Sequence, residues 1–550
     1  MTTHLPLFEQ YLREQQTLSA VDRFAQRHRD GHLDAPLPGS APAMGGFYRD
    51  LLPATPPAEG QQYAFQVDLD ACTGCKACVT ACHNLNGLDD AEAWRSVGLL
   101  HGGTALEPVQ QTVTTACHHC LDPACMNGCP VGAYEKDPVT GIVKHLDDQC
   151  IGCQYCTFTC PYDVPKYSAA RGIVRKCDMC SDRLAGGEAP ACVQACPNGA
   201  IAITVVDHHQ VLEDAQGAAF VPGAPSPGIT APTTVYKTKR ALPANLLPAN
   251  FYRIKPAHEH RPLVIMLVLT QLSAGAFCVD AVGSRSLPAA AASLLGPVHA
   301  LVAMTTGLVA LGASVFHLGR PLYAFRAFLG LRTSWMSREI VVFGLFAPLA
   351  ILYAASFWLA PSAPAYARDS LCAAVAATGA AGVGCSVLIY HVTRRAWWNA
   401  PATGFKFFMT AAVLGLATAE LTLSIGARSL DRPDGAALTI LGVEVARLLV
   451  AAGLLKGLGE LLALRHLSDK RYTDLKRSAV LLTRDLSRYT TARFALLAVG
   501  LVVTALEFAI PPVSIVLPAI ALAVLLAGEL LERTLFFAAS SSPGMPGGLA

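Results

Sequence analysis

The spacing of the cysteines constrains this chain more than any other feature. Of its 19 cysteines, sixteen lie between Cys72 and Cys196 in four groups of four, and three groups end in Cys-Pro. The groups are Cys72, Cys75, Cys78 and Cys82; Cys117, Cys120, Cys125 and Cys129; Cys150, Cys153, Cys156 and Cys160; and Cys177, Cys180, Cys192 and Cys196. Two groups read C-x2-C-x2-C-x3-C, in which three thiolates wrap one face of a cubane cluster and the fourth serves a neighbouring cluster. The spacing therefore predicts an iron–sulfur domain.

Two other uses of clustered cysteines fit the pattern less well. Zinc knuckles employ C-x2-C pairs, but they need four ligands for each ion and do not favour a run that ends in Cys-Pro. A disulfide framework is typical of short secreted chains in an oxidising compartment. Simple burial of cysteine in a core does not produce sixteen residues at these intervals. The spacing thus favours iron–sulfur ligation over both.

The composition indicates a membrane protein toward the C-terminal end. Hydrophobic residues make up 52% of the 550 residues and charged residues only 15%, with a mean hydropathy of +0.39. From Arg261 onward, apolar stretches reach bilayer-spanning length. We predict eight spans, at about 262–284, 290–316, 339–360, 369–391, 404–427, 436–462, 494–510 and 512–536. Pro511-Pro512 is predicted to form the turn between the last two spans. The net charge of the chain, +2, does not indicate a nucleic-acid partner.

Four segments divide the chain. Residues 1–60 combine an amphipathic helix, predicted within 5–28, with an irregular arm rich in Pro, Ala and Gly. Residues 61–206 form the cluster domain, which opens and closes with alternating strands, YAFQVDLD and AIAITVV. Residues 207–260 are a Pro-rich linker over the soluble domain or the membrane surface, and residues 261–540 are the transmembrane part. The predicted fold is an α+β double bacterial-ferredoxin-like domain followed by an all-α eight-helix transmembrane bundle.

Two stretches resemble parts of a known family. The region from CHHCLDPACMNGCPVGAYEKDPVTGIVKHLDDQCIGCQYC to RKCDMC is similar to the four-cluster electron-transfer subunit of dimethyl sulfoxide reductase-type molybdoenzymes. Residues 314–340, SVFHLGRPLYAFRAFLGLRTSWMSREI, and the later LLAGELLERTLFF resemble the eight-helix, quinone-reactive anchor of the same complexes. The resemblance covers about 65–205 and 260–540. Because the two parts are separate polypeptides in most relatives, it implies that this chain is a fusion.

The resemblance also implies which cysteines share a cluster. Three cysteines of one group are completed by the last cysteine of another, which gives four [4Fe–4S] clusters. The implied sets are Cys72, Cys75, Cys78 with Cys196; Cys177, Cys180, Cys192 with Cys82; Cys117, Cys120, Cys125 with Cys160; and Cys150, Cys153, Cys156 with Cys129. Similar nitrate reductase subunits carry a tryptophan at one group-three position and hold a three-iron cluster there. This chain has Cys153, so four cubanes are expected.

A second candidate site lies at the membrane. His317 ends the second span and Glu339 begins the third, and in similar anchors the matching histidine belongs to the menaquinol site. A lone histidine at a helix end is usually interfacial, but quinol oxidation releases protons that imidazole and carboxylate groups can accept. We predict that His317 and Glu339 bind the quinone, menaquinone or ubiquinone. Arg320 and Arg338 are expected to contact lipid phosphate or the cluster domain.

Other sulfur-bearing and ionisable residues in the spans are expected to be structural. Cys278, Cys372 and Cys385 sit singly in apolar stretches, where cysteine behaves as a small hydrophobe. Charges at membrane depth generally pair with one another, so Glu444 with Arg447 is the default expectation. A proton path through Glu420 is the functional alternative.

The resemblance implies an electron-transfer and anchoring subunit. Electrons would pass one at a time between a quinone and a separate molybdopterin-containing catalytic subunit, since no pterin-binding domain is visible in this chain. The expected partners are that subunit, the quinone and membrane lipids, and no nucleic acid. A self-contained quinone-linked iron–sulfur oxidoreductase is the alternative. The cysteine motifs do not decide between a dimethyl sulfoxide-type reductase and a sulfite-oxidising complex, because hydrogen bonds and burial set the cluster potentials.

Basic residues predict the side of the membrane. The face of the cluster domain carries fifteen, Arg320, Arg326, Arg332, Arg338, Arg394, Arg395, Lys406, Arg465, Lys470, Arg471, Lys476, Arg477, Arg484, Arg488 and Arg493, and the other face four, Arg285, Arg368, Arg428 and Arg432. Basic loops stay cytoplasmic, and the first residues show no export signal. We therefore expect a bacterial inner-membrane protein with a cytoplasmic cluster domain. A signal on the partner could nevertheless carry the domain across, and some basic residues could face that domain.

Overall fold

A computed structural model describes residues 46, 48–90, 92–283, 287, 289–508, 515–541 and 544–547. The helix predicted within residues 5–28 and the turn predicted at Pro511-Pro512 lie outside this range. A domain of short strands and helices precedes a bundle of long helices, which is the predicted fold class.

The soluble domain contains ten strands in the described part of the chain. They are β1 (Gln61–Asp68), β2 (Ser96–Gly103), β3 (Pro108–Thr115), β4 (Tyr134–Lys136), β5 (Val143–His145), β6 (Lys166–Ser168), β7 (Ile173–Arg175), β8 (Ile201–Asp207), β9 (Val235–Lys237) and β10 (Leu247–Pro248). One sheet has the order β8-β1-β9 and another β10-β2-β3, while β4-β5 and β6-β7 are two-stranded. Strands β9 and β10 come from the predicted linker, so residues 207–260 contribute to the domain's sheets.

The opening and closing strands lie side by side. β1 pairs antiparallel with β8, with Tyr63 opposite Val205 and Val67 opposite Ile201. Phe65 and Val67 of β1 are buried, as the alternation of apolar and polar residues predicted. The pairing brings the chain back to its starting edge after four cysteine loops.

The soluble domain has six short α-helices in the described part of the chain, five at the cysteine groups and the last directly after β8. They are α1 (Ala77–Asn86), α2 (Ala124–Asn127), α3 (Tyr155–Thr159), α4 (Ser181–Ala185), α5 (Ala191–Gln194) and α6 (His208–Gln216). In two loops a glycine in the left-handed region precedes the second cysteine: Gly74 has φ +73° and Gly152 has φ +69°. Glycine adopts this conformation without a Cβ penalty, so the loop can turn tightly enough for its cysteines to face one interior.

The membrane part consists of long helices with one short helix between them. They are α7 (Arg261–Gly283), α8 (Ala289–Val315), α9 (Trp335–Leu359), α10 (Ala365–His391), α11 (Ala400–Ser429), α12 (Arg432–Leu461), α13 (Asp474–Thr483), α14 (Ser487–Leu506) and α15 (Val516–Ala538). Among the described residues, seven helices, α7 to α12 and α14, are long and apolar enough to cross a bilayer. The 23-residue α15 is the eighth long helix and packs against α14, α11 and α7.

Helix α15 carries three charged residues that are buried inside the bundle. Glu529, Glu532 and Arg533 are almost completely excluded from the surface. The Lys456 ammonium lies 3.2 Å from carboxylate oxygens of both Glu460 and Glu529, and the Arg493 guanidinium lies 2.8 Å from the same two carboxylates. Charges at this depth are tolerated when they pair with one another. The cluster therefore links α12, α14 and α15.

Two predicted loop residues belong to this charged cluster. Helix α14 begins at Ser487, earlier than the predicted span, so Arg493 lies inside it. Lys406 lies inside α11, which begins at Ala400. Lys406 is 3.9 Å from Glu532, and Arg493 pairs with the carboxylates named above. Their assignment to surface loops was wrong: the predicted span 494–510 was taken to begin just after Arg493, and Lys406 was counted with the loops although the predicted span 404–427 contains it. Glu444 and Arg447 do pair as expected, at 2.6 Å.

After α15 the chain returns to the soluble domain. The Ala257 backbone N–H donates to the carbonyl of Ala538, and the Leu99 N–H donates to the carbonyl of Gly547 at 3.2 Å. Gly98 allows this close approach, because a Cβ there would lie 1.7 Å from the Pro546 carbonyl oxygen. Both ends of the membrane bundle are thus tied to the soluble domain.

Candidate functional site

The cysteine groups interleave in space. Burial raises the pKa of Cys125, and the nearby Cys160 thiol raises it further. Burial and then Cys192 raise the pKa of Cys82, and Cys180 contributes as well. The last cysteine of one group therefore lies among the first three of another in both cases.

In the other two implied cluster sets, too, the last cysteine of one group lies near the first three cysteines of another. The pKa of Cys156 is raised by burial and by the thiols of Cys153 and Cys129. The pKa of Cys78 is raised by burial and, among its other neighbours, by Cys196. Asn198 secures this fourth loop, since its amide donates to the carbonyl of Ala71 beside Cys72. The structure brings together members of all four implied sets.

The surroundings of the cysteine sulfurs fit cubane clusters. In the described part of the chain, no three Cys, His, Asp or Glu side chains converge closely enough to hold one ion. Several cysteine sulfurs instead accept backbone N–H groups: Ala133 donates to Cys129 at 3.3 Å and Ala200 to Cys196 at 3.2 Å. Such hydrogen bonds stabilise cluster-bound thiolates and tune cluster potentials. The donor set and its surroundings fit [4Fe–4S] clusters.

Lys176 and Arg95 are buried cations that interact with cysteine sulfurs. The Lys176 ammonium is 3.7 Å from the Cys117 sulfur and 2.8 Å from the Cys177 carbonyl, between groups two and four. Arg95 is buried and interacts electrostatically with Cys192 and Cys78. The sequence motifs did not predict a role for either residue. The adjacency of Lys176 to Cys177 was the available signal, whereas Arg95 lies far from any cysteine in sequence.

The segment between α8 and α9 docks directly on the third cysteine group. The Arg320 N–H donates to the Ile151 carbonyl at 3.0 Å, and the Gly330 N–H donates to the Pro130 carbonyl at 2.8 Å. The Ser334 hydroxyl donates to the carbonyl of Gly128 at 2.8 Å. This segment, residues 316–334, therefore touches loops on both sides of the predicted cluster of Cys150, Cys153, Cys156 and Cys129.

Arginine side chains reinforce the contact. Arg320 and Arg326 donate to the carbonyls of Asp147 and Asp148 at 2.8 and 2.9 Å. Arg338 instead bonds carbonyls of its own segment and lies over the Trp335 ring. Arg320 and Arg338 were both predicted to contact lipid phosphate or the cluster domain. Of these two, Arg320 contacts the cluster domain and Arg338 does not.

His317 follows α8 and has one free ring nitrogen. Its Nδ1 donates to the Ser314 carbonyl, so in the neutral ring Nε2 is left as the acceptor. Nε2 is buried and has no hydrogen-bond partner among the described residues. Burial lowers the pKa of His317, which keeps the ring neutral near pH 7. A ligand hydroxyl is the kind of group that would complete its bonding.

Glu339 lies in the first turns of α9 and is buried. Its carboxylate accepts from the Ser386 hydroxyl of α10. Burial and the Glu339 carboxylate raise the pKa of Tyr155, which places that tyrosine of α3 beside it. Glu339 thus sits where the bundle meets the helix that carries Cys156.

His317 and Glu339 have different immediate neighbours. His317 lies near His260, whose pKa falls to about 4 through burial, His258 and His317. The ring of Phe158, also on α3, packs edge-on against His260 at 5.1 Å between centroids. The same short helix therefore lies beside Glu339 through Tyr155 and is linked to His317 through His260. The sequence motifs did not single out His258 or His260, although the pair directly precedes the first span.

The remaining predictions for the spans concern single residues. Cys372 is buried against α7, and Cys278 and Cys385 are half-buried, with no cysteine group around them in the described chain. Glu420 is buried close to Glu507, and its carboxylate oxygens have no hydrogen-bond partner among the described residues. The proton path through Glu420 stays a prediction.

Comparison with known proteins assigns both parts of the chain. Residues 109–206 match the 4Fe-4S dicluster domain family, and residues 256–539 match the DMSO reductase anchor subunit (DmsC) family, which is more than half of the chain. The matches meet the fold boundaries described above, because the first ends near the end of β8 and the second begins just before α7.

Curated relatives cover the iron–sulfur part. The B subunit of the anaerobic dimethyl sulfoxide reductase of Haemophilus influenzae is 35% identical over 189 residues, 33% of this chain and 91% of the relative. The corresponding Escherichia coli protein is 38% identical over 154 residues, 26% of this chain and 75% of the relative. The iron–sulfur subunit of the nitrate-inducible formate dehydrogenase of Escherichia coli is 34% identical over 168 residues, covering 27% and 57%.

The predicted fusion is confirmed by these matches, since the two families occupy consecutive parts of one polypeptide. The combination of cysteine loops and long apolar helices has the chemistry of a membrane-attached electron carrier. The chain belongs to the DMSO reductase anchor subunit (DmsC) family through residues 256–539, and it joins to that anchor an iron–sulfur part similar to the B subunit of dimethyl sulfoxide reductase.

Proposed function

We propose that this electron-transfer and membrane-anchor subunit moves electrons between a quinone held at His317 and Glu339 and a separate molybdopterin-containing catalytic subunit. The sixteen cysteines of the four groups would hold four [4Fe–4S] clusters, which supply one-electron steps when bound. The docking of segment 316–334 on the third cysteine group is the observation that carries the proposal. It supports a quinone site next to Cys150, Cys153, Cys156 and Cys129.

The residues at the membrane site have defined roles in this proposal. The free Nε2 of His317 accepts a hydroxyl hydrogen of a quinol, and the Nδ1 bond to Ser314 holds the ring in that orientation. Glu339, positioned by Ser386, receives the second proton. Because burial lowers the pKa of His317, its acceptor form persists to pH values below the usual histidine range. Quinol oxidation should therefore fall when acid protonates this ring or the Glu339 carboxylate.

The names of the relatives support the catalytic partner. The B subunits of the anaerobic dimethyl sulfoxide reductases and the formate dehydrogenase iron–sulfur subunit are named as components of larger enzymes. A self-contained quinone-linked oxidoreductase is the second candidate. Purification of the tagged full chain from its host separates the two, because only the first candidate requires a large molybdenum protein to accompany it.

We further propose that the iron–sulfur domain faces the cytoplasm of a bacterium. The predominance of basic residues on its side of the bundle supports this orientation. Six of the fifteen basic residues do not contribute to it, since Lys406, Arg477 and Arg493 are largely buried and Arg320, Arg326 and Arg395 donate to the domain itself. The remaining basic residues on that face still exceed those on the opposite face.

Replacement of His317 by Ala tests the quinone site. Quinol-dependent turnover should be lost, because the acceptor nitrogen is gone, while artificial dyes still exchange electrons with the clusters. His391→Ala is the matched control, since His391 is exposed at the end of α10 on the same side of the bundle. The measurement is the ratio of quinol-linked to dye-linked activity. An unchanged ratio in His317→Ala would move the quinone site elsewhere in the bundle.

A further inference from the structure

A large polar cavity lies between the soluble domain and the membrane bundle. Its volume is about 830 Å³, and it is lined by the segment before α7, the connection between α10 and α11, the start of α13 and the residues after α15. This cavity is separate from the space enclosed by the cysteine groups and from the proposed quinone site. Among the described residues that line it, Cys160 alone belongs to a cysteine group.

The walls of the cavity carry excess positive charge. Five cations line it, Lys166, Arg253, Lys255, Arg395 and Arg477, against the two carboxylates of Asp163 and Asp474. Lys166 pairs with Asp163 at 2.6 Å and Arg477 with Asp474 at 3.4 Å. Arg253, Lys255 and Arg395 have no ion pair within the described residues. Three positive charges are therefore left without a counter-ion.

Two of the arginines are held in place with bonding capacity unused. Arg477 is 8% exposed, donates to the Phe251 carbonyl at 3.1 Å, and has a buried Nε without a partner in the described chain. Arg395 donates to Thr157 and Ser540, stacks on the Trp398 ring at 4.9 Å, and also has a buried, unpartnered Nε. Burial lowers the pKa of Arg395 to about 10, and Asp163 and Cys160 offset only part of that effect.

The depth of the cavity is set by the ends of membrane helices. Arg395 lies between the end of α10 at His391 and the start of α11 at Ala400, and Ser540 lies two residues beyond α15. Helix α7 begins six residues after Lys255. All three positions lie close to the level where helices emerge from the apolar layer, which is the level of phospholipid headgroups.

We propose that this cavity binds a phosphate group, and that an anionic membrane lipid supplies it. The unpaired guanidinium and ammonium groups neutralise the phosphate, and Arg395 and Arg477 offer donors of the geometry that phosphate oxygens accept. Thr473, Ser540 and Ser541 add hydroxyl groups to the lining. The lipid headgroup would then lie between the iron–sulfur domain and the membrane bundle and contact both.

The test compares two pairs of exposed cations in the purified full-length chain. R253Q/K255Q removes two cations from the cavity wall, and K237Q/K239Q removes two from the surface of the soluble domain outside it. After delipidation, each protein is titrated with phosphatidylglycerol, with phosphatidylcholine of the same acyl chains, and with inorganic phosphate. Bound lipid is counted by native mass spectrometry, and visible absorption checks that the clusters are intact.

We expect wild type and K237Q/K239Q to bind phosphatidylglycerol in preference to phosphatidylcholine. R253Q/K255Q should bind it about 25-fold more weakly, since each cation near an anionic headgroup contributes about fivefold. Equal affinity in the two double variants, or no preference for the anionic lipid, would overturn the proposal. Displacement of the lipid by millimolar inorganic phosphate would support the phosphate site and assign it to a soluble source.

Discussion

At the scale of single residues, buried cations compensate the negative charge that thiolate-bound clusters concentrate in the soluble domain. Lys176 bridges groups two and four through Cys117 and Cys177, and it also donates to the carbonyl of Val143. An ammonium that is 2% exposed interacts strongly with nearby charge, because little water screens it. It should therefore favour the reduced, more negative state of the adjacent clusters.

Replacement of Lys176 by Met tests this role. The reduction potential of one cluster should fall by on the order of 100 mV, the effect of a unit charge about 8 Å away at an effective dielectric of ~20. Redox titration monitored by EPR gives the potential, with Lys237→Met as the control because Lys237 is exposed on β9. Identical potentials in the Lys176 variant and wild type would show that other groups compensate the cluster charge.

At the scale of elements, the segment between α8 and α9 fastens the anchor to the third cysteine group. The contact depends on backbone approaching backbone: a Cβ at Gly319 would lie 2.0 Å from the Gly172 carbonyl oxygen. His317 is two residues away and Glu339 follows in α9. The geometry of the proposed quinone site therefore depends on this glycine contact.

Gly319→Ala should separate the segment from the soluble domain. The added methyl group has no space, and overpacking of this kind costs about 1–3 kcal/mol. We expect quinol-linked turnover to fall while dye-linked cluster reduction persists. Gly312→Ala, one turn or so before the end of α8 with nothing within 4 Å of the added Cβ, is the control and should be silent. Full quinol activity in Gly319→Ala would argue that the contact is dispensable.

Much of this arrangement could be predicted from local sequence, and the remainder depends on partners distant in the chain. Cysteine spacing indicated the cluster loops, and alternation indicated β1 and β8, because both patterns are local. Arg95 reaches Cys78 and Cys192 only through the folded sheets. The docking of segment 316–334 uses backbone carbonyls, which leave no side-chain pattern. The charges of α15 could not be paired in advance, since their partners lie on α12 and α14.

At the scale of the whole molecule, the number of clusters is measurable. Iron analysis should find about sixteen iron atoms per chain, four for each cubane. Cys153→Ser should convert one cluster to a three-iron form that EPR detects in the oxidised protein, whereas Cys278→Ser, in a membrane helix, should leave the iron content unchanged. A strong three-iron signal from the unaltered protein would contradict the assignment of four cubanes.

The orientation of the whole molecule is tested with reporters fused after Ala550. A cytoplasmic iron–sulfur domain places this end in the cytoplasm too, because residues 545–547 contact that domain through Asn250 and Leu99. A fluorescent protein that matures in the cytoplasm should glow, and alkaline phosphatase at the same position should be inactive. High phosphatase activity would reverse the proposed orientation.

The return of residues 545–547 to β2 has a consequence for biosynthesis. The ribosome releases the cysteine loops long before it makes α15, so the edge of β2 beside Gly98 stays open while eight helices enter the membrane. Pro546 and Gly547 can cover that edge only after the last helix is in place. Their docking therefore follows the synthesis of α15, after the strands β10 and β3 that flank β2 in this sheet have already been made.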